Sequence, residues 1–264
     1  MASQPLAAPK ATRFRLKRPQ LEPFAAPVLL LGLWQLACAS GLFPPQILVP
    51  PSEVAKALGG MAASGELQRH VADSLYRLLV GFAIGATAGM AFGAALALSR
   101  LVESVLSPIF HTLWQVPVIA FVPLMVMFLG IDEPFKIAVV TIAAFFPMAL
   151  ATFDGIRGVP RNWFDVAKVY RLTLLQLIRR ILLPATVPAV LTGLRISLTR
   201  AWVVLVAAEL LAADSGIGQM MEMGRQLFQI DVVLAGVVVS GLIGFLLDRG
   251  ACWVESRATR WRTA

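Results

Sequence analysis

Few side chains in this sequence could do chemistry, and the best of them lie in apolar surroundings. The segment Pro184–Ala212 is apolar yet holds Arg195, Arg200 and Glu209. A charge inside a bilayer is costly, so such residues are functional candidates by default. Arg195, Thr199, Trp202, Val206 and Glu209 recur at spacings of three and four, which puts them on one helical face. As a polar stripe they would line a path for a polar solute, with Arg195 meeting an anionic headgroup. The plainer alternative is that Arg195 snorkels to the inner surface and Glu209 has a structural partner. Fourteen residues separate Arg195 from Glu209, about 21 Å of helix, so the two cannot pair with each other. Arg200 points elsewhere, toward another span or a second protomer. Arg77, at the outer start of an earlier span, is expected to snorkel.

Other chemistries find little support. The sequence has neither HExxH nor a P-loop, so a zinc protease and nucleotide binding by a Walker motif are both excluded. Ser240 and Gly241 follow Val238 and Val239, not the Gly-x-Ser-Gly of an intramembrane serine protease. The two cysteines, Cys38 and Cys252, form no CxxC pair, and with no Cys/His cluster a metal site is not expected. The topology below puts them at opposite membrane faces, too far apart for a disulfide. His70 and His111 are isolated and read as satisfied structural histidines. His111, Trp114 and Gln115 precede Pro117 and could line a bend, although a Trp near a helix end is more often an interface anchor.

The elements that must position these residues are membrane helices. The chain has 264 residues, is 58% hydrophobic and 14% charged, and has a mean hydropathy of +0.77. Soluble domains carry roughly 25% charged residues. A spanning helix needs about 20 mainly apolar residues. Six segments meet or approach that: Phe24–Phe43, Leu78–Ser99, Ser104–Ile131, Ile137–Phe153, Pro184–Ala212 and Val232–Leu247. The first is too long for a signal-peptide core and is read as a retained helix. The second carries Gly81, Gly85, Gly89 and Gly93, a ridge on one face suited to close packing against a neighbouring helix. In the third, Pro108, Pro117 and Pro123 predict an entry helix followed by a bent span from about Val116. A tight turn over Gly130–Pro134 separates it from the fourth. Between the first two spans, Pro51, Ser52 and Glu53 start the pattern of a short amphipathic helix at the outer surface.

Lysine and arginine set the orientation. With the N-terminus inside, inner segments hold sixteen basic residues and outer segments four, namely Lys56, Arg69, Lys136 and Arg225. That asymmetry follows the positive-inside rule and places both termini and the loop Asp154–Arg180 in the cytoplasm. It also accounts for the net charge of +8 without nucleic acid. The expected organisation is a basic tail over 1–23, one membrane domain over 24–250 with its polar loop at 154–184, and a second basic tail over 251–264.

The polar loop contains two short helices. Asn162 stands three residues before Asp165, a capping-box-like start, and Thr173 stands three before Gln176, a true capping-box pattern. Leu172 and Leu177 occupy the hydrophobic-staple positions around the latter. A helix from about Trp163 to Tyr170 therefore turns at Arg171 into a second helix that leads to Pro184. By periodicity alone it is either a plain amphipathic surface helix or a stiff knob that fits a groove on a soluble partner.

Its spacing resembles a known motif. Asp165, Val166 and Ala167, then Arg171, then Ile181, Leu183 and Pro184 are similar to E-A-A-x3-G-x9-I-x-L-P, the coupling motif of ABC-importer permeases. Arg171 replaces its Gly, which permits a left-handed backbone. An Arg held there would cost about 1–2 kcal/mol, so either the turn differs or packing overrides the cost. The resemblance extends along the chain through Ile47–Ser52, Ser74–Arg77 with Gly81 and Phe82, Pro117 with Ala120, Pro123 and Leu124, Leu191–Arg195, Val206–Glu209, Ser215–Gly218 and Asp231–Val233. These look like the nitrate/sulfonate/taurine branch of binding-protein-dependent permeases. Gly224–Asp231 is most similar to aliphatic-sulfonate permeases.

The resemblance implies an all-α, six-span permease of the type I ABC-importer fold in a bacterial inner membrane. Its substrate would be a small anion, an aliphatic sulfonate first, with taurine, nitrate, bicarbonate or a heterocyclic vitamin precursor as alternatives. Two copies would form the pore within membrane lipid, and two cytoplasmic ATPase subunits would bind beneath. Trp163, Phe164, Asp165, Val166, Ala167, Lys168, Tyr170, Arg171, Ile181, Leu183 and Pro184 would carry the coupling contact. A periplasmic binding protein would deliver substrate. ATP and magnesium would sit on the ATPase, and this chain would bind no cofactor. A secondary transporter is the remaining alternative, but it would not need the helix–turn–helix loop joined to Ile-x-Leu-Pro.

Overall fold

The computed structural model describes residues 22–41 and 48–260. The chain divides into two units, Met1–Pro51 and Ser52–Ala264. The first contains α1, Glu22–Ala39. Its apolar part, Val28–Ala39, is shorter than the expected span Phe24–Phe43, and residues 42–47 lie outside the described residues.

Among its described residues the second unit has helices joined by short turns and no strand. It runs α2 (Pro51–Ser64), α3 (Glu66–Leu98), α4 (Arg100–Trp114), a 3-10 turn (Val118–Phe121), α5 (Val122–Leu129), α6 (Glu133–Arg157), α7 (Arg161–Val169), α8 (Leu174–Leu177), a π-turn (Ile178–Leu182), α9 (Leu183–Leu211), α10 (Ile217–Gln226) and α11 (Ile230–Ala258). Among the described residues four stretches are long and apolar enough to cross a membrane: α3, α6, the run Leu175–Leu211 that includes α9, and α11. The pair α4 with Val118–Leu129, bent by 89°, makes a fifth if counted as one span. The count is thus four or five, against an expected six.

The bend falls where the prolines predict it. Pro117 precedes the 3-10 turn and Pro123 lies in the first turn of α5, where a missing N–H costs nothing. Pro108, by contrast, is absorbed inside α4. The amphipathic helix expected from Pro51 is α2, which buries Val54 and Met61.

The core is built on α3 and α6. The ridge Gly81, Gly85, Gly89 and Gly93 is buried against α6, with contacts advancing in step from Val140 to Ala149. The two helices are therefore parallel. A Cβ at Gly85 or Gly93 would overlap the carbonyl oxygens of Thr141 and Ala149, so only glycine allows this approach. α9 runs antiparallel to α6, with Gly193 against Ala151. α11 flanks α9. An aromatic cluster of Phe92, Phe110, Phe145 and Phe146 fixes α4 against α3 and α6.

Candidate functional site

One end of the bundle carries the loop. α6 stops at Gly158, Val159 tucks its side chain inward, and Pro160 opens α7. The capping-box-like start at Asn162 and Asp165 does not form. Pro160, preset at φ −58°, starts the helix at Arg161, two residues before Trp163, so Asn162 already lies inside it. The exit is sharply defined. Leu172 N–H donates to the Ala167 carbonyl at 2.9 Å and Arg171 N–H to the Lys168 carbonyl at 3.0 Å. This pair of bonds is a Schellman motif with Arg171 at the left-handed C′ position, φ 49°. The turn is the one glycine would make, formed here by arginine.

α8 follows at once. The capping box expected at Thr173 is present: Thr173 N–H donates to Gln176 Oε1 at 2.9 Å, and Gln176 N–H to Thr173 Oγ1 at 3.4 Å. Between α8 and α9 the helix widens into the π-turn Ile178–Leu182, which contains Ile181. Pro184 lies in the first turn of α9, and the carbonyl its ring would crowd, that of Arg180, is inside the π-turn. Leu183 and Pro184 are exposed.

A Schellman motif that closes α7 and a capping box that opens α8 thus define the corner between the two helices. Ala167 is buried, Phe164 half-buried, and Trp163, Asp165, Val166, Lys168, Tyr170 and Arg171 are exposed. Val166 is 53% and Tyr170 75% exposed, so an apolar strip faces outward from a helix with charged neighbours. Asp165 and Lys168 lie 3.3 Å apart, both well solvated, and such a pair contributes little.

The opposite end of the bundle holds a buried ionic cluster. Arg77 of α3 is 1% exposed, so it does not snorkel. Its Nε–H and Nη2–H reach Glu133 at 2.8 and 2.6 Å, and Nη1–H reaches Glu209 Oε1 at 2.8 Å. Ser215 accepts two more bonds, through its carbonyl at 2.7 Å and its hydroxyl at 2.6 Å. All five guanidinium donors are used. Glu209 also accepts from Ser74 Oγ and from Gly218 N–H, and Ser74 Oγ in turn accepts from Ile217 N–H. His70 Nδ1 accepts from Gly216 N–H at 3.1 Å. Gly216 has φ 109° and its absent Cβ would overlap the Glu209 carboxylate. The segments Ser74–Arg77, Val206–Glu209 and Ser215–Gly218, distant in sequence, meet here to join α3, α6, α9 and α10. Beyond this cluster, Arg225 and Gln226 hold the half-buried Glu222 carboxyl down to about 2.

The stripe on α9 faces other helices over much of its length. Arg195 forks onto Asp248 of α11, at 2.7 and 3.0 Å, with Glu255 at 3.8 Å. Trp202 Nε1–H donates to the Ser240 carbonyl at 3.1 Å, and Val206 is buried. Thr199 is exposed and donates to the Arg195 carbonyl. His111 Nδ1 bonds the Ser107 carbonyl of its own helix at 2.8 Å. Sequence reasoning missed Glu133 and Lys136 as partners in the Arg77 cluster, and Asp248 as the partner of Arg195. The signal available was a charge of opposite sign at a span end.

Residues 83–260 match the family described as binding-protein-dependent transport system inner membrane component. The chain is 35% identical, over 90% of its length and 86% of the relative's, to the Bacillus subtilis (strain 168) protein that carries the name aliphatic sulfonates transport permease protein SsuC. The Escherichia coli (strain K12) protein of that name is 36% identical over 93% of each chain. The taurine transport system permease protein TauC of Escherichia coli (strain K12) is 35% identical over 88% of this chain and 86% of its own. Among solved structures, an inward-facing form of the MetNI methionine ABC transporter aligns over 73% of this chain and 96% of its own, with a TM-score of 0.62 at 20% identity, and so shares the fold. A multi-pass helical bundle, matched by family and relatives over most of its length, therefore belongs to the binding-protein-dependent transport inner-membrane components: it is a membrane permease subunit of an ABC importer and not an enzyme.

Proposed function

We propose that this chain forms the translocation path for aliphatic sulfonates and is driven by an ATPase that grips α7. The observation that carries the reading is the corner between α7 and α8, closed by a Schellman motif on one side and a capping box on the other, which leaves the apolar strip of Trp163, Val166 and Tyr170 exposed. A free surface helix needs no such bracing. A helix that passes mechanical force to the bundle does, and α8, the π-turn and Pro184 join it directly to α9. In this reading α7 lies on the cytoplasmic side, as the distribution of basic residues favours, and two copies of the chain enclose the pore. A binding protein docks at the Arg77 end. There α10 also closes in a Schellman motif, with Phe228 at φ 58° and 89% exposed. Strain of this kind in an exposed aromatic marks a contact site. The sulfonate assignment follows the names of two of the relatives.

Reconstitution tests it. The chain would be placed in proteoliposomes with its ATPase and binding protein, and uptake of labelled ethanesulfonate followed. ATP-dependent uptake that requires the binding protein is expected. Uptake that proceeds without ATP would overturn the coupling role of α7, and no uptake of ethanesulfonate by the complete system would overturn the substrate assignment.

A further inference from the structure

Arg200 stands apart from the other charges in the spans. Arg77, Lys136, Glu133 and Glu209 neutralise one another, and Arg195 is matched by Asp248. Arg200 has no ion pair among the described residues. Its contact is with a ring: the guanidinium carbon lies 5.0 Å from the Trp114 centroid. That ring is held in turn by Phe146 at 5.8 Å.

Arg200 lines a cleft of about 270 Å³ with Trp114, Gln115 and Pro117 from the break between α4 and α5, and Ala143 and Phe146 from α6. It is the one charged group in that lining. The depth can be read from two helices. Arg200 is eleven residues from the end of α9 at Leu211, about 16 Å. Ala143 is ten residues from the start of α6 at Glu133, about 15 Å. Half of a hydrocarbon core is about 15 Å, so the cleft sits near the midplane.

Two facts there are incompatible with lipid. Arg200 is exposed on the single chain, and an unpaired cation facing hydrocarbon at the midplane is strongly unfavourable. Gln115 and Pro117, in irregular backbone between α4 and the 3-10 turn, are exposed too. Non-helical backbone at membrane depth persists only where protein buries it or water reaches it. We infer that this cleft is an aqueous anion site in the translocation path, in which Arg200 supplies the charge, Gln115 an amide donor, and Trp114 the surface that orients the guanidinium. The ligand class is a compact oxyanion headgroup, a sulfonate in first place. The site deepens the importer reading and rests on it, and it moves the anion contact from Arg195 to Arg200.

The test separates the site from that reading because its first arm needs no transport. Gln115→Cys is made in a Cys38→Ser, Cys252→Ser background of the full chain, in permeabilised membranes. Labelling rates are measured with anionic 2-sulfonatoethyl and cationic 2-(trimethylammonio)ethyl methanethiosulfonate, with Arg200 present and as Arg200→Gln. A water-filled cleft with a cationic wall predicts that both reagents react, and that the anionic-to-cationic rate ratio falls about tenfold in Arg200→Gln. No reaction with either reagent overturns the proposal, as does a ratio that Arg200→Gln leaves unchanged. Loss of dimer on size exclusion with an unchanged ratio also overturns it, assigning Arg200 to an acidic group of a second copy. In the second arm, ethanesulfonate uptake should show a raised KM in Arg200→Gln, with Arg200→Lys restoring most of it. If the parent chain takes up no ethanesulfonate, the substrate assignment falls, while the labelling ratio still decides the cleft.

Discussion

Arg77 and Glu209 are 132 residues apart in the chain and 2.8 Å apart in the fold, both nearly inaccessible to solvent. Each is hydrogen-bonded further, Arg77 to Glu133 and Ser215, Glu209 to Ser74 and the Gly218 amide. Such additional hydrogen bonds make a buried pair tolerable, and they make loss of either partner expensive. Arg77→Ala and Glu209→Ala should each destabilise the detergent-solubilised permease by about 3–5 kcal/mol. The double variant should cost less than the sum of the two, read from thermal unfolding in a double-mutant cycle. Strict additivity would show that the pair does not act as a unit.

The Arg171 turn gives a prediction of the opposite sign. Its backbone is left-handed at φ 49°, where a Cβ is penalised. Arg171→Gly should keep both Schellman bonds and stabilise the loop by about 1 kcal/mol. Slower limited proteolysis between α7 and α8 would report it. Faster cleavage would mean that the arginine side chain, and not the turn, holds the loop.

The α3–α6 contact is intolerant of bulk. Gly85→Leu or Gly93→Leu should prevent the two helices from meeting and abolish accumulation of folded protein, measured as monodisperse yield. Gly241→Leu, on α11 where nothing stands within 4 Å of a Cβ, should leave yield unchanged.

The fork between Arg195 and Asp248 predicts matched phenotypes. Arg195→Ala and Asp248→Asn should reduce uptake to a similar extent, and Arg195→Lys should retain more. If Arg195→Ala impaired uptake severely while Asp248→Asn did not, Arg195 would have a role toward substrate in addition to its pairing.

Much of this was readable in the sequence because membrane folding leaves a coarse imprint. The glycine ridge at a four-residue repeat, the capping box at Thr173 and Gln176, and the proline-driven bend all act within one or two helical turns. Each appears as the local pattern demands. What the sequence hid was long-range pairing. Arg77 read as a snorkelling residue because its partners, Glu133 and Glu209, belong to other spans. The pairing of Arg195 was hidden because Asp248 belongs to a different helix, α11. Helical periodicity says which residues share a face, but not whether that face meets another helix or water. The start of α7 was misplaced for a local reason: Pro160 presets the helix before the polar residues of Asn162 and Asp165 can cap it.

The central claim is that α7 transmits force from an ATPase, and its exposed strip can be altered without disturbing the bundle. The most direct measurement is ATPase capture and ATP-driven ethanesulfonate uptake by Val166→Asp, a change on the outward face, beside Ala167→Asp, which buries a carboxylate. The account predicts that both variants insert, that Val166→Asp lowers ATPase capture at least about tenfold, equivalent to about 1.4 kcal/mol, and that uptake falls with it. Wild-type capture and uptake by Val166→Asp and Ala167→Asp alike would contradict the coupling role of α7.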